Sequence, residues 1–112
     1  MLWVCRTAAV GAPTSGQLKQ ANSWQNFDVA LTAGRTYTID VKGASTNSGT
    51  LAQPYIFIYP AGGSAVVAQG GRGGTGNDAR LTFTPAATAT YVIQVSTYVI
   101  ADGAGTFVLT VQ

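Results

Sequence analysis

Apolar and polar residues alternate with a period of two over much of this chain, the mark of strands with one face buried. In residues 24–31, Phe27, Val29 and Leu31 share one side while Asn26, Asp28 and Ala30 take the other. In residues 35–41, Tyr37, Ile39 and Val41 alternate with Thr36, Thr38 and Asp40, and Thr32-Ala33-Gly34 between the two segments reads as a turn. Together they predict a hairpin with one wet face, on which Asp40 points outward. The same alternation places Leu81 and Phe83 inward in 80–84, Tyr91, Ile93 and Val95 inward in 90–95, and Phe107, Leu109 and Val111 inward in 106–111. Pro54–Pro60 breaks the rule. Its five consecutive β-branched or aromatic residues leave neither side polar, which predicts a central strand covered on both faces. Tyr55, Phe57 and Tyr59 point one way and Ile56 and Ile58 the other, and the prolines, which donate no ladder hydrogen bond, set its limits.

The remaining segments follow from turn chemistry. Residues 3–10 are moderately apolar and end at the glycine- and proline-rich break 11–16; residues 17–20 make a short polar strand. Residues 42–53 lack an apolar period and read as a loop. The turn 60–63 leads to a partner strand over 64–69 carrying Val66 and Val67, then to a glycine-rich loop over 70–78. Turns at 85–88 and 101–105 and a strand over 96–100 complete the list. The result is an all-β chain, an antiparallel β-sandwich of jelly-roll type with eight or nine strands, divided into an N-terminal arm or edge strand (1–15) and the sandwich (16–112). The arm either covers a side of its own sandwich or pairs with a sheet edge of another chain.

Composition narrows the chemistry. The 112 residues suffice for one core without disulfides, and the lone Cys5 reads as a small buried hydrophobe. Charged residues are only 9% of the chain, so its surface is clothed in hydroxyls, amides and glycine. Six scattered basic residues form no run able to neutralise successive phosphates, which argues against nucleic acid as a partner. No histidine and no glutamate occur, and Asp28, Asp40, Asp78 and Asp102 are dispersed. Paired-carboxylate and metal-assisted catalysis are therefore not supported, a Ser-His-Asp site is excluded, and no enzyme is expected. No apolar run reaches the length of a spanning helix, and the order of Met1-Leu2-Trp3-Val4-Cys5-Arg6, apolar before basic, inverts that of a signal peptide.

Two glycine patterns fall short of function. Gly71-Arg72-Gly73-Gly74-Thr75-Gly76 satisfies G-x-G-x-x-G but lies between strands, so a phosphate would lack the helix N-terminus that the motif supplies. Residues 73–80 approach a calcium-binding nonapeptide in a single copy, whereas such calcium sits between stacked copies. The candidate binding residues are Trp3, Trp24 and Tyr98, which fall outside the inward registers and could stack on sugars or anchor an interface, and Arg72 of the glycine run.

Several segments in order carry a family likeness: Ser23-Trp24-Gln25-Asn26-Phe27-Asp28-Val29-Ala30-Leu31 before Ala33-Gly34-Arg35-Thr36-Tyr37-Thr38-Ile39, then Pro54-Tyr55-Ile56-Phe57-Ile58-Tyr59, Arg80-Leu81-Thr82-Phe83-Thr84-Pro85, Ala89-Thr90-Tyr91-Val92-Ile93-Gln94-Val95 and Gly105-Thr106-Phe107-Val108-Leu109-Thr110-Val111. In this order the chain resembles the bacterial pre-peptidase C-terminal domain, a β-sandwich appended to secreted peptidases. The resemblance implies a non-catalytic accessory module. Where members carry acids that hold calcium, this chain has Gln53, Pro60 and Gln69-Gly70-Gly71, so calcium is disfavoured and no cofactor is expected. The expected role is a structural or binding module docking on a larger assembly, foremost a virion surface component such as a phage head-decoration or fibre protein, present in several copies on a capsid surface. The alternative is a carbohydrate- or matrix-binding accessory domain with a glycan partner, at an extracellular surface.

Overall fold

The computed structural model describes residues 6–18, 24–44, 47–51, 54–61, 65–71, 78–97 and 105–112. Among the described residues nine strands are formed: β1 (Arg6–Thr7), β2 (Thr14–Leu18), β3 (Gln25–Leu31), β4 (Tyr37–Lys42), β5 (Pro54–Pro60), β6 (Ala68–Gly71), β7 (Ala79–Phe83), β8 (Ala89–Thr97) and β9 (Gly105–Val111). They make two sheets, a five-stranded one in the order β1-β3-β8-β5-β6 and a four-stranded one in the order β2-β9-β4-β7. Every pairing is antiparallel except β1 with β3, which is parallel. The predicted alternation decides what lies between the sheets. Phe27, Val29, Leu31, Ile56, Ile58, Tyr91, Ile93 and Val95 from one sheet meet Tyr37, Ile39, Val41, Phe107, Leu109 and Val111 from the other, all buried. Phe27 and Phe107 meet edge to face across the sheets, with centroids 6.0 Å apart.

Strands 24–31 and 35–41 do not form the expected hairpin. β3 pairs with β8 while β4 pairs with β7 and β9, so residues 32–36 carry the chain from one sheet to the other. The reason lies in the alternation itself: each strand has one apolar face, and placing the two on opposite sides of one core buries both. A second sheet-crossing connection, between β7 and β8, runs alongside. Gly34 N–H donates to Pro85 O (3.0 Å), Ala33 N–H to Thr88 Oγ1 (2.9 Å), and the Thr36 and Thr84 hydroxyls share a bond of 2.8 Å. Tyr37 Oη accepts the Thr32 N–H at 2.9 Å, and Tyr91 Oη donates to Ala87 O at 2.9 Å, tying both crossings to the core.

Other departures share one cause, glycine used for close approach rather than for turning. The polar strand expected at 17–20 begins instead at Thr14, because Gly16 lies under the Phe107 ring, where any Cβ would collide. Likewise Gly70 and Gly71 belong to β6 rather than to a loop, whereas Val66 and Val67 precede that strand and are exposed. Leu51, in the segment read as loop, is fully buried; its N–H donates to Thr106 O and its carbonyl accepts from Ala44 N–H. Asp40 does point away from the core, yet it is buried beneath Arg80, its cross-strand partner. Arg80 Nε lies 2.7 Å from Asp40 Oδ1 and Nη2 lies 3.4 Å from Oδ2. That hydrogen bond and the carboxylate charge raise the guanidinium pKa above its ordinary value.

The N-terminal segment Arg6–Thr7 pairs with β3 of its own chain, opposite Phe27 and Asp28, and Ala8 N–H continues the ladder to Asp28 O. Cys5 lies outside the described residues; of the strand expected at 96–100, Ser96 and Thr97 continue β8 and residues 98–100 lie outside the described residues. No helix among the described residues is long and apolar enough to cross a membrane.

Candidate functional site

β5 lies between β8 and β6 and has one covered face, not two. The middle strand of its sheet is β8. Ile56 and Ile58 are fully buried in the core, whereas Tyr55, Phe57 and Tyr59 lie on the outer side of the sheet and are only partly covered. Alternation aligns these three rings in one row, with successive backbone positions about 6.6–6.8 Å apart. Tyr55 and Phe57 lean on one another, centroids 5.0 Å apart and planes at 55°.

The neighbouring strands complete the face. Tyr59, Phe57 and Tyr55 stand opposite Val92, Gln94 and Ser96 of β8, and Val92 and Gln94 stand in turn opposite Asp28 and Asn26 of β3. On the other flank Phe57 faces Gln69 and Tyr55 faces Gly71. A Cβ on Gly71 would come within 2.6 Å of Tyr55 Cδ1, so the glycine is what lets the Tyr55 ring lie against β6. Tyr59 Oη donates to Gln94 Oε1 at 3.2 Å, which orients that amide across the row. Asn26 Oδ1 is buried and accepts no hydrogen bond from a described residue. Asp28 is the charged residue among those that β3, β5, β8 and β6 turn outward. The face is thus an aromatic stripe bordered by amides and a hydroxyl.

Of the predicted binding residues, Trp24 immediately precedes β3 and is 48% exposed. Gln25 pairs with Val95 and Tyr55 with Ser96, so Trp24 stands at the Tyr55 end of the sheet. Trp3, Arg72 and Tyr98 lie outside the described residues, as does Gln53. Pro60 ends β5, and Gln69-Gly70-Gly71 is part of β6. Among the described residues no group of three or more His, Cys, Asp or Glu side chains converges. The aromatic row itself was readable as three residues on one side of a strand. Its exposure was not, because a tyrosine suits a core and a wet surface equally well.

This architecture has a counterpart over its whole length. The pre-peptidase C-terminal domain of collagenase from Bacillus anthracis superposes with a TM-score of 0.75 at 15% identity, covering 100% of this chain and 98% of that one. The chain has the fold of a pre-peptidase C-terminal domain. The pre-peptidase fold is shared at the level of architecture, since 15% identity carries no residue roles. A second similar structure is PliG of Aeromonas hydrophila, a periplasmic inhibitor of g-type lysozyme, with a TM-score of 0.63, 15% identity, and coverage of 97% of this chain and 100% of that one. No family model and no curated protein matches the sequence.

Proposed function

We propose that this chain is a non-catalytic binding module of an extracellular bacterial protein, working without a cofactor and attaching to a glycan or matrix surface through the outer face of its five-stranded sheet. The observation that carries this reading is the row Tyr55, Phe57 and Tyr59, three partly exposed rings on one strand whose backbone is held rigidly between two neighbours. Side chains on strands are placed more exactly than side chains on loops, and aromatic rings supply contact area with few torsions to immobilise. The fold neighbours support the setting: one is a domain of a collagenase and the other a periplasmic inhibitor. We read the strand order, β2-β9-β4-β7 facing β3-β8-β5-β6 with β1 appended, as a jelly roll, an architecture also used by lectins and capsids. The virion reading finds no support among the fold neighbours, a domain of a collagenase and a periplasmic lysozyme inhibitor.

Cosedimentation with insoluble matrices tests the proposal. The protein is expected to pellet with at least one of cellulose, chitin, isolated cell wall or fibrillar collagen, and Phe57→Ala is expected to release it. Equal pelleting of the variant would reject the aromatic face as the attachment site.

A further inference from the structure

Resting on the attachment reading above, we infer that the ligand of this face is a neutral, unbranched polysaccharide lying along β5. Three features of the face select it. The rings recur on alternate residues of a straight element, so the ligand must be extended and must present apolar patches in a repeating series. A pyranose chain does so through the C–H faces of its sugar rings, which are attracted to the negative face of an aromatic ring.

The border supplies the second feature. Gln94 and Asn26 stand directly opposite each other beside Phe57, and an amide carries both an acceptor and two donors. With Asn26 Oδ1 buried and Gln94 Oε1 taken by Tyr59, the Gln94 NH2 group is what this border offers, and a sugar hydroxyl oxygen accepts from it where a purely apolar partner would strand it. The Tyr59 hydroxyl holds the Gln94 oxygen and so presents its NH2 group as the donor end. Charge is the third feature. The outward positions of β3, β5, β8 and β6 carry Asp28 and no described lysine or arginine, so a polyanion would gain no counter-charge from these strands and would meet one carboxylate. Trp24, level with Ser96 and so with Tyr55 two strands away, places an exposed ring beside that end of the row.

The test is titration calorimetry of the intact chain with laminarin, cellohexaose and chitohexaose as neutral probes and alginate as a polyanion. Phe57→Ala, Gln94→Ala and, on the opposite sheet, Thr82→Ala serve as variants, each first matched to the parent in denaturation midpoint. Should Phe57→Ala fail to fold, Tyr59→Phe removes only the hydroxyl that orients Gln94. Binding of at least one neutral probe is expected, weakened about tenfold or more by Phe57→Ala and severalfold by Gln94→Ala, and unchanged by Thr82→Ala. Tryptophan fluorescence should change on binding. Absence of binding to every neutral probe overturns the inference, as does equal affinity of parent and Phe57→Ala. Binding of alginate or of gelatin that depends on Phe57 overturns the neutral-sugar ligand while leaving the attachment face standing; indifference of all matrices and probes to Phe57 removes both.

Discussion

Gly16 and Gly71 make a matched pair, because a methyl group added at either one strikes an aromatic ring, yet the two rings differ in burial. At Gly16 the obstacle is Phe107, which is fully buried and locked edge-on against Phe27. The same methyl would lie 2.5 Å from Gln25 Oε1, the acceptor of the Gln17 N–H. Neither neighbour can retreat without disturbing a second contact. Overpacking of this kind costs about 1–3 kcal/mol, and the loss of backbone freedom in the unfolded chain returns about 0.4–1 kcal/mol. Gly16→Ala should therefore destabilise the fold by about 1–2 kcal/mol. With a urea dependence of about 2 kcal/mol per molar, the midpoint should fall by about 0.5–1 M. At Gly71 the obstacle is Tyr55, whose ring lies on the outer face and is only partly buried. Gly71→Ala should leave the midpoint within about 0.3 M of the parent while displacing the Tyr55 ring and weakening attachment. Urea denaturation followed by far-ultraviolet circular dichroism reads both variants. A midpoint for Gly16→Ala equal to that of the parent, or a larger loss for Gly71→Ala than for Gly16→Ala, would refute the assignment of one ring to the core and the other to the surface.

Three further outcomes are expected. Leu51→Ala should cost about 2–5 kcal/mol by chemical denaturation although Leu51 lies outside every strand, because a fully buried leucine leaves a cavity; a loss under about 1 kcal/mol would show that the segment does not cap the core. Tyr37→Phe removes the acceptor of the Thr32 N–H and should lower stability by about 1 kcal/mol, with the amide proton of Thr32 exchanging faster than in the parent. Asp40→Asn and Arg80→Met should be strongly non-additive: Arg80→Met strips a buried carboxylate of its partner, and adding Asp40→Asn should restore much of the loss in a double-mutant cycle, whereas additive effects would mean that the pair is not coupled.

Which side of each strand faces the core was legible from the alternation. Once Phe27, Val29, Leu31, Tyr37, Ile39, Val41, Tyr91, Ile93, Val95, Phe107, Leu109 and Val111 alternate with polar neighbours, a period of two leaves only one way to bury them, and all twelve lie in the core. The sequence also bounded the chemistry, since a chain without histidine or glutamate has few means of acid–base work. Which strands pair was not legible there, because pairing depends on how the two apolar faces meet. A turn at Thr32-Ala33-Gly34 is compatible both with a hairpin and with a crossing between sheets, and the crossing wins because β3 and β4 then cover one core from opposite sides. Glycine was ambiguous for a similar reason: Gly16 and Gly71 look like turn residues until the Phe107 and Tyr55 rings that crowd their missing Cβ positions are in place, and Gly70 until Leu81 lies close beside it. The aromatic face followed from the same source. Tyr55, Phe57 and Tyr59 are one row in the sequence, but whether a second layer covers that row depends on what the remaining chain packs against it, and here β5 turns Ile56 and Ile58 into the core and leaves its three rings on the outer, partly covered side.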